Sequence, residues 1–455
     1  MRADAGSFRD PSSRVFYDGD RVVRGLSEEA AEIDDRTRQV GLVDRLIDNG
    51  FLVENWRVDD VTTPEGVPSA AVVESRRIGL ISHPGEWSFP MLRDAALLTL
   101  DTNLTALNDG FILKDASAFN VVFDGAHPIV IDVASLDPIE NHSVWTAYGQ
   151  FVDHFLSPLM LEAYTGMPFQ SVLSTSIVGF PVSSLDLLLR GRRRYRKGVT
   201  THVRLRSGLE KRAQGMETGE RSDVSALSLP ASAIESTIRK MRSLVASLES
   251  PNVGQWEGYE DALPYRAPEV EAKRAFVERS AGRSQKRGIA LDVGANEGLF
   301  TRLLAEKFDS VVATDIDAGV SGALYQGLLA SESRNVTPLV VDVVNPSPSF
   351  GFRGTERRGF SERVKPDMAT WLAVVHHLCI GQGVPLPEIV GLIAATSAEA
   401  VVEFVHPTDP MVKRISASRP ESLDAYGIDE FDALLRRKFE VVEEEAVSPS
   451  RTMYH

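Results

Sequence analysis

Five runs rich in Val and Ile, GIALDV, SVVATDI, TPLVVDV, DMATWLAV and EAVVEFV, recur between residues 288 and 405 with helix-patterned segments between most of them. A strand that is apolar on both faces has to be buried on both, and helices packed on each side of a parallel sheet provide that. This part of the chain is therefore expected to be α/β, with helices over 298–308, 318–331 and 385–396. Ligands of such sheets sit beyond the carboxyl ends of the strands. That rule selects the residues that matter.

The first strand runs into Leu291-Asp292-Val293-Gly294-Ala295-Asn296-Glu297-Gly298-Leu299. Small residues let the backbone turn sharply and approach a ligand, and the next helix offers unpaired N–H groups. The spacing is not the Gly-x-Gly-x-x-Gly of a dinucleotide fingerprint. Asp292 and Glu297 would also repel a phosphate, so the turn suits a ligand that is cationic or lacks phosphates. The second strand ends at Asp315, where a carboxylate can accept ribose hydroxyls. The third ends at Asp342, placed for an exocyclic amine. Beyond the fourth come Ala373-Val374-Val375-His376-His377, and a histidine there has a pKa suited to proton transfer. Glu403, His406 and Asp409, at and after the fifth strand, are further pocket candidates. The loop over 345–363, with Glu356 and Arg357 adjacent, is long enough to act as a lid.

Residues 288–406 resemble the class I S-adenosylmethionine-dependent methyltransferases. DVGANEG stands for that family's first motif, with Asn296 in place of the usual middle glycine. The resemblance implies a Rossmann-like sheet and S-adenosylmethionine as cofactor. It implies cofactor contacts from Asp292, Gly294, Asn296 and Gly298, from Asp315 with Ile316, from Asp342 with Val343, and from Ala373. His376 and His377 then face the transferred methyl, and Glu356 and Glu403 become substrate contacts. No metal is implied.

In the first half, Met91–Asn108 reads as a helix, and Asp124-Gly125 marks a hairpin. Asp115 and Asn120 stand five apart, and Asp132 follows twelve later. An acid, an amide and a second acid so spaced can converge on a metal-bound phosphate or a hydroxyl. This stretch resembles the catalytic loop and metal-binding strand of protein kinases and aminoglycoside phosphotransferases. Yet no Gly-rich loop precedes it, no glycine follows Asp132, and residues 1–113 hold no lysine. The expectation is a degenerate kinase-like α+β domain over 1–225 that recognises substrate through Asp115, Asn120 and Asp132. A helical linker over 226–280, flexible across 213–230, and a methyltransferase domain over 281–455 complete the division.

ISHPGEWSF, LKDASAFN, NPSPSFGF, VVHHL and EFVHPTDPMV, in that order, span nearly the whole chain. Together they resemble a family of two-part bacterial methyltransferases that includes nodulation-associated and natural-product proteins. The resemblance implies a small-molecule acceptor methylated on oxygen or nitrogen, with a sugar or secondary metabolite as the expected class. A bifunctional phosphotransferase–methyltransferase is the alternative.

Charge narrows the partners. Lys and Arg number 49 against 64 Asp and Glu, for a net charge of −15. General affinity for DNA, RNA or an anionic membrane is not expected, although a local basic patch can exist. One such stretch lies at 190–212 and keeps an RNA-methylating alternative open. A single cysteine, Cys379, excludes an internal disulfide. No secretory signal or membrane-spanning run is read in the sequence, so a cytoplasmic location is expected.

Overall fold

Apolar residues in the first ninety positions alternate too briefly to announce strands, yet they pair. The computed structural model describes the chain apart from residues 209–229, 253–266, 332, 418–422 and 424. The flexible connection expected over 213–230 falls almost wholly outside the described residues. β1 (Arg2–Ala3), β2 (Ser13–Asp18), β3 (Arg21–Leu26), β4 (Asn55–Arg57) and β5 (Ala71–Ser75) form an antiparallel sheet in the order β1-β2-β3-β5-β4. Phe16, Val23, Val61, Val67 and Val72 make its core.

The helix Phe89–Asn108 follows, with Met91, Leu92, Ala95, Ala96 and Leu100 fully buried. β6 (Phe111–Leu113) pairs with β9 (Leu136–Pro138), and β7 (Val121–Asp124) pairs with β8 (His127–Val130). The β7–β8 turn contains Gly125 at φ 62°, a left-handed position that glycine fills without a Cβ clash. The helix Ala231–Ala246 lays Ile234, Ile238, Met241 and Val245 against Phe89–Asn108. It thus belongs to the first compact unit rather than to a linker.

That unit comprises Met1–Asn252 together with Ser347–Gly359; the second comprises Val253–Pro346 and Phe360–His455. In the second, β10 (Ile289–Val293), β11 (Ser310–Asp315), β12 (Val336–Val340), β13 (Met368–Trp371) and β14 (Glu399–Val405) are parallel. β15 (Glu444–Ser448) and β16 (Arg451–Tyr454) add an antiparallel edge, giving the order β12-β11-β10-β13-β14-β16-β15. The strand order reverses at β10, between β11 and β13. The chain leaves β10 for β11 on one side and returns from β12 to β13 on the other, so the carboxyl ends of these strands leave a crevice. The helix Ala267–Arg283, also expected in the linker, packs on the helix Leu299–Ala305 and on β15.

Candidate functional site

The glycine turn after β10 is built by its neighbours. Gly294 and Ala295 both donate to the Thr314 carbonyl, at 2.8 and 3.0 Å. Gly294 has φ 70°, and a Cβ there would meet Val374 Cγ2 at 2.9 Å. Gly298 has φ 83°, and its Cβ would meet Leu324 Cδ1 at 2.5 Å. Asn296 at φ 48° and Ala373 at φ 55° also lie in the left-handed region, which costs a residue with a Cβ on the order of 1–3 kcal/mol. Strained backbone therefore flanks the crevice on two strand ends. The side-chain Oδ1 of Asn296 is buried with no hydrogen-bond partner among the described residues.

Asp315 Oδ2 accepts from Asn296 N at 3.1 Å, and Oδ1 accepts from Asp317 N at 2.9 Å. Burial pushes its carboxyl up despite these bonds. Asp342, two residues past the end of β12, accepts from Val344 N at 3.1 Å. Ile316 is 56% exposed beside Asp315, and Val343 is half-buried beside Asp342. These positions and Ala373 gather at consecutive strand ends, as expected.

Asp292 requires a correction. It points inward and is 2% exposed, with its two oxygens accepting from Thr301 Oγ1 and Thr370 Oγ1 at 2.6 Å each. Burial pushes its carboxyl up to about 6. It braces the turn from beneath instead of touching a ligand.

His376 and His377 follow β13, with rings 4.2 Å apart. His376 is 1% exposed, and burial holds it well below the ordinary histidine value. Its Nδ1 has no partner among the described residues. His377 is half-buried and is also lowered, first by burial and then by Arg451. Both imidazoles are therefore neutral near pH 7. Neutral imidazole is the form that accepts a proton, and His377 is the one of the pair that a substrate can reach.

Glu403 also departs from expectation. Its side chain is fully buried in β14, 2.6 Å from Lys273 Nζ and 2.8 Å from Arg451 Nη1. Arg451 in turn holds Asp409 at 3.1 Å. Burial alone would raise the Glu403 carboxyl, but the two cations hold it below the usual range. This carboxylate is committed to an internal ion network rather than to substrate. Its cations had no signal in the sequence, since Lys273 and Arg451 lie 130 and 48 positions away along the chain.

In the first unit, Asp115 Oδ1 accepts from Ser117 N at 2.9 Å, and burial followed by the nearby Asp132 raises its carboxyl. Ile131 N donates to the Asn120 carbonyl at 2.9 Å, tying loop to hairpin, while Asn120 Nδ2 is buried with no partner among the described residues. Arg24 Nη1 lies 3.0 Å from Asp132. Arg76 and Arg77, the paired cations that follow β5, are engaged with Asp124 and Asp20.

The stretch expected to be a lid is built into this unit. Glu356 makes a bidentate pair with Arg9 at 2.7 and 2.8 Å and accepts from Phe352 N at 2.7 Å. Its side chain is fully buried, so it pins the loop and is not a substrate contact. Phe350 and Arg357 exchange two backbone bonds, and the Arg357 guanidinium lies 4.7 Å from the Phe119 ring centre. Arg357 feels the charge of Asp115, and burial lowers its pKa. Its adjacency to Glu356 was visible in sequence, but its destination was not.

The order of the parallel strands and the acids beyond β11 and β12 agree with the methyltransferase sheet that the sequence resembles. Against known proteins, no protein-family profile matches the chain. It is 32% identical to nodulation protein NoeA of Rhizobium meliloti strain 1021 over 457 residues, covering 99% of this chain and 95% of the relative. The chain belongs to the NoeA family of nodulation proteins. Among solved structures it is similar to the N-methyltransferase NodS of Bradyrhizobium japonicum WM9 in complex with S-adenosyl-L-homocysteine. That match has 14% identity, TM-score 0.31, and covers 42% of this chain and 88% of NodS. Similarity to the bifunctional kinase-methyltransferase WbdD has 18% identity and TM-score 0.29, over 47% of this chain and 45% of WbdD. Overlaps so partial assign no activity, which has to come from the residues.

Proposed function

We propose that the second unit binds S-adenosylmethionine and transfers its methyl group to an oxygen or nitrogen of a small molecule, with a sugar or secondary metabolite as the acceptor class. One observation carries this: a left-handed glycine turn and two carboxylates, Asp315 and Asp342, stand at three consecutive parallel strand ends. The residues fit the cofactor. Gly294 and Gly298, where a Cβ would strike Val374 and Leu324, let the turn take its tight left-handed form at the strand end, and the unpartnered Asn296 Oδ1 is an acceptor suited to an ammonium. Asp315 would hold ribose hydroxyls, while Asp342 and Val343 would hold the base.

When bound, the cofactor supplies a methyl group already activated by its sulfonium. The chain's own task is alignment, which alone can account for much of such a rate. His377 is assigned the acceptor's proton, taken as the new bond to carbon forms. His376 is a packing partner that keeps the His377 ring in place.

For the first unit we propose substrate recognition by a kinase-like domain, supported by its antiparallel sheet, the Asp115–Asn120 loop and the Asp132 hairpin. Against phosphoryl transfer stand the absence of lysine through residue 113 and the pairing of Asp132 with Arg24. A carboxylate already neutralised by a guanidinium is a poor ligand for Mg²⁺.

Calorimetric titration of the full chain with S-adenosylhomocysteine tests the pocket. Asp315→Ala should weaken binding by about 1–3 kcal/mol, the cost of unpaired ribose hydroxyls. Wild-type affinity in that variant would remove the assignment.

A further inference from the structure

The stretch 182–206 of the first unit carries exposed cations and exposed apolar side chains on one anchored surface. Three short elements form it: Val182–Leu188, Gly191–Tyr195 and Val199–Arg204, the last packed against both others. Val182, Leu185, Leu189, Val199 and Val203 are buried and fix these elements to the unit. Beside those anchors, Leu187, Leu188, Tyr195 and Leu205 are 54, 44, 72 and 60% exposed. Arg190, Arg192, Arg193, Arg194, Arg196 and Arg204 are exposed on the same elements and make no ion pair with any described residue. Positions 187–208 contain no Asp or Glu.

Charge pairing on the protein's own surface is the usual fate of arginine in so acidic a chain. Several arginines elsewhere follow it, as in Arg21 with Asp60 and Glu74 or Arg436 with Asp432 and Glu444. Arg206 follows that rule with Asp153, whereas the six arginines named above face outward and meet no acid among the described residues. We propose that this face docks the protein on an anionic lipid surface.

Two features select lipid over nucleic acid. Juxtaposed arginines and aliphatic side chains suit a headgroup layer, where the cations meet lipid phosphates and the leucines enter the acyl boundary. A single-stranded nucleic acid needs free aromatic faces for its bases to stack on. Here Tyr195 has the Arg194 guanidinium 4.6 Å above its ring, with an Arg194 N–H donated to its hydroxyl. Exposed leucines offer bases nothing comparable. Among the described residues no helix is long and apolar enough to cross a membrane, so the contact is peripheral. The net charge of −15 makes the pull local, acting within a screening length of roughly 8 Å at physiological salt. This proposal stands apart from methyl transfer and does not depend on it.

Co-sedimentation of the full chain with vesicles tests it. Vesicles of phosphatidylcholine containing about one-third phosphatidylserine should bind about tenfold more protein than phosphatidylcholine alone, and high salt should release it. The triple variant Arg192→Glu, Arg193→Glu, Arg194→Glu should fall to the phosphatidylcholine level. Leu187→Ser with Leu188→Ser should bind about fivefold less while keeping the salt dependence. Arg437→Glu with Lys438→Glu, on an exposed helix end of the second unit, should bind as wild type. All these positions are exposed, and unchanged melting curves would exclude misfolding as the cause. Equal binding to both vesicle types, no loss in the triple or leucine variants, or RNA binding that outcompetes the anionic vesicles would each overturn the proposal.

Discussion

Both units present acids at the ends of strands and loops, fixed in both by backbone N–H groups, and the two sets differ in the cation that one of them carries. In the second unit, Asp315 is fixed by two backbone N–H groups and Asp342 by one. In the first, Asp115 and Asp132 likewise accept from the N–H groups of Ser117 and Ala134, but Asp132 also lies 3.0 Å from the Arg24 guanidinium. A peptide N–H orients a carboxylate and leaves lone pairs for a ligand, whereas a guanidinium also cancels its charge. The same residue type thus keeps its charge in one place and has it offset by a neighbouring cation in the other. Among the described residues no cluster of three or more His, Cys, Asp or Glu is arranged to hold a metal ion.

The largest expected effect lies beyond the fourth strand of the second unit. His377→Ala should lower turnover by about 10²–10⁴-fold while S-adenosylhomocysteine affinity stays near normal. Because burial lowers the pKa of His377, activity should hold through pH 7 and fall only below the ordinary histidine value of 6.5. A matching loss in His376→Ala, with His377→Ala unaffected, would exchange their roles.

Next in size is the buried brace. The folded-state pKa of Asp292 is raised from 3.8 to about 6, so its favourable contribution is complete below pH 3.8 and is lost as pH rises through about 6. Asp292→Asn, which resembles the protonated form, should match wild-type stability near pH 4 and exceed it by about 2–3 kcal/mol at pH 8. Urea unfolding at the two pH values would show this, and a difference that does not change with pH would mean the carboxyl is not strained by burial.

The smallest effect separates the two acid sets directly. Wild-type melting temperature should move by less than about 1 °C with millimolar Mg²⁺, since a ligand without affinity for the folded state cannot stabilise it. Removing the neighbouring cations with Arg24→Met and Arg357→Met should create a measurable Mg²⁺-dependent rise. A clear Mg²⁺ shift in wild type, together with substrate-dependent ADP release abolished by Asp115→Ala, would restore the phosphotransferase alternative.

Much of the second unit was legible because both faces of its strands are apolar. All five parallel strands fall where the runs GIALDV to EAVVEFV place them. The β15–β16 hairpin was not visible, because EEAVS and RTMY are short and gain their order from pairing beside β14. The first sheet was seen only in fragments for the same reason: β4 and β5 depend on each other and on β3, not on local pattern. Asp315 and Asp342 lie at strand ends where the pattern put them, but the same logic misplaced Asp292. The hydroxyls that turn it inward, Thr301 and Thr370, come from two other elements. Glu356 was unreadable in a stronger sense, since its partner Arg9 is 347 residues away in the chain.

That last separation has a consequence during synthesis. The first unit is complete only with Ser347–Gly359, which lies beyond Asn252 and three strands of the second unit. A ribosome adds roughly 5–20 residues per second, so Arg9, Glu86 and His83 wait some tens of seconds for Glu356, Ser347 and Arg358 to emerge. The order of manufacture is therefore interleaved: the earliest part of the chain finishes folding only after the first three of the later sheet's seven strands have been made. During that interval the nascent first unit is the stretch a chaperone has to guard.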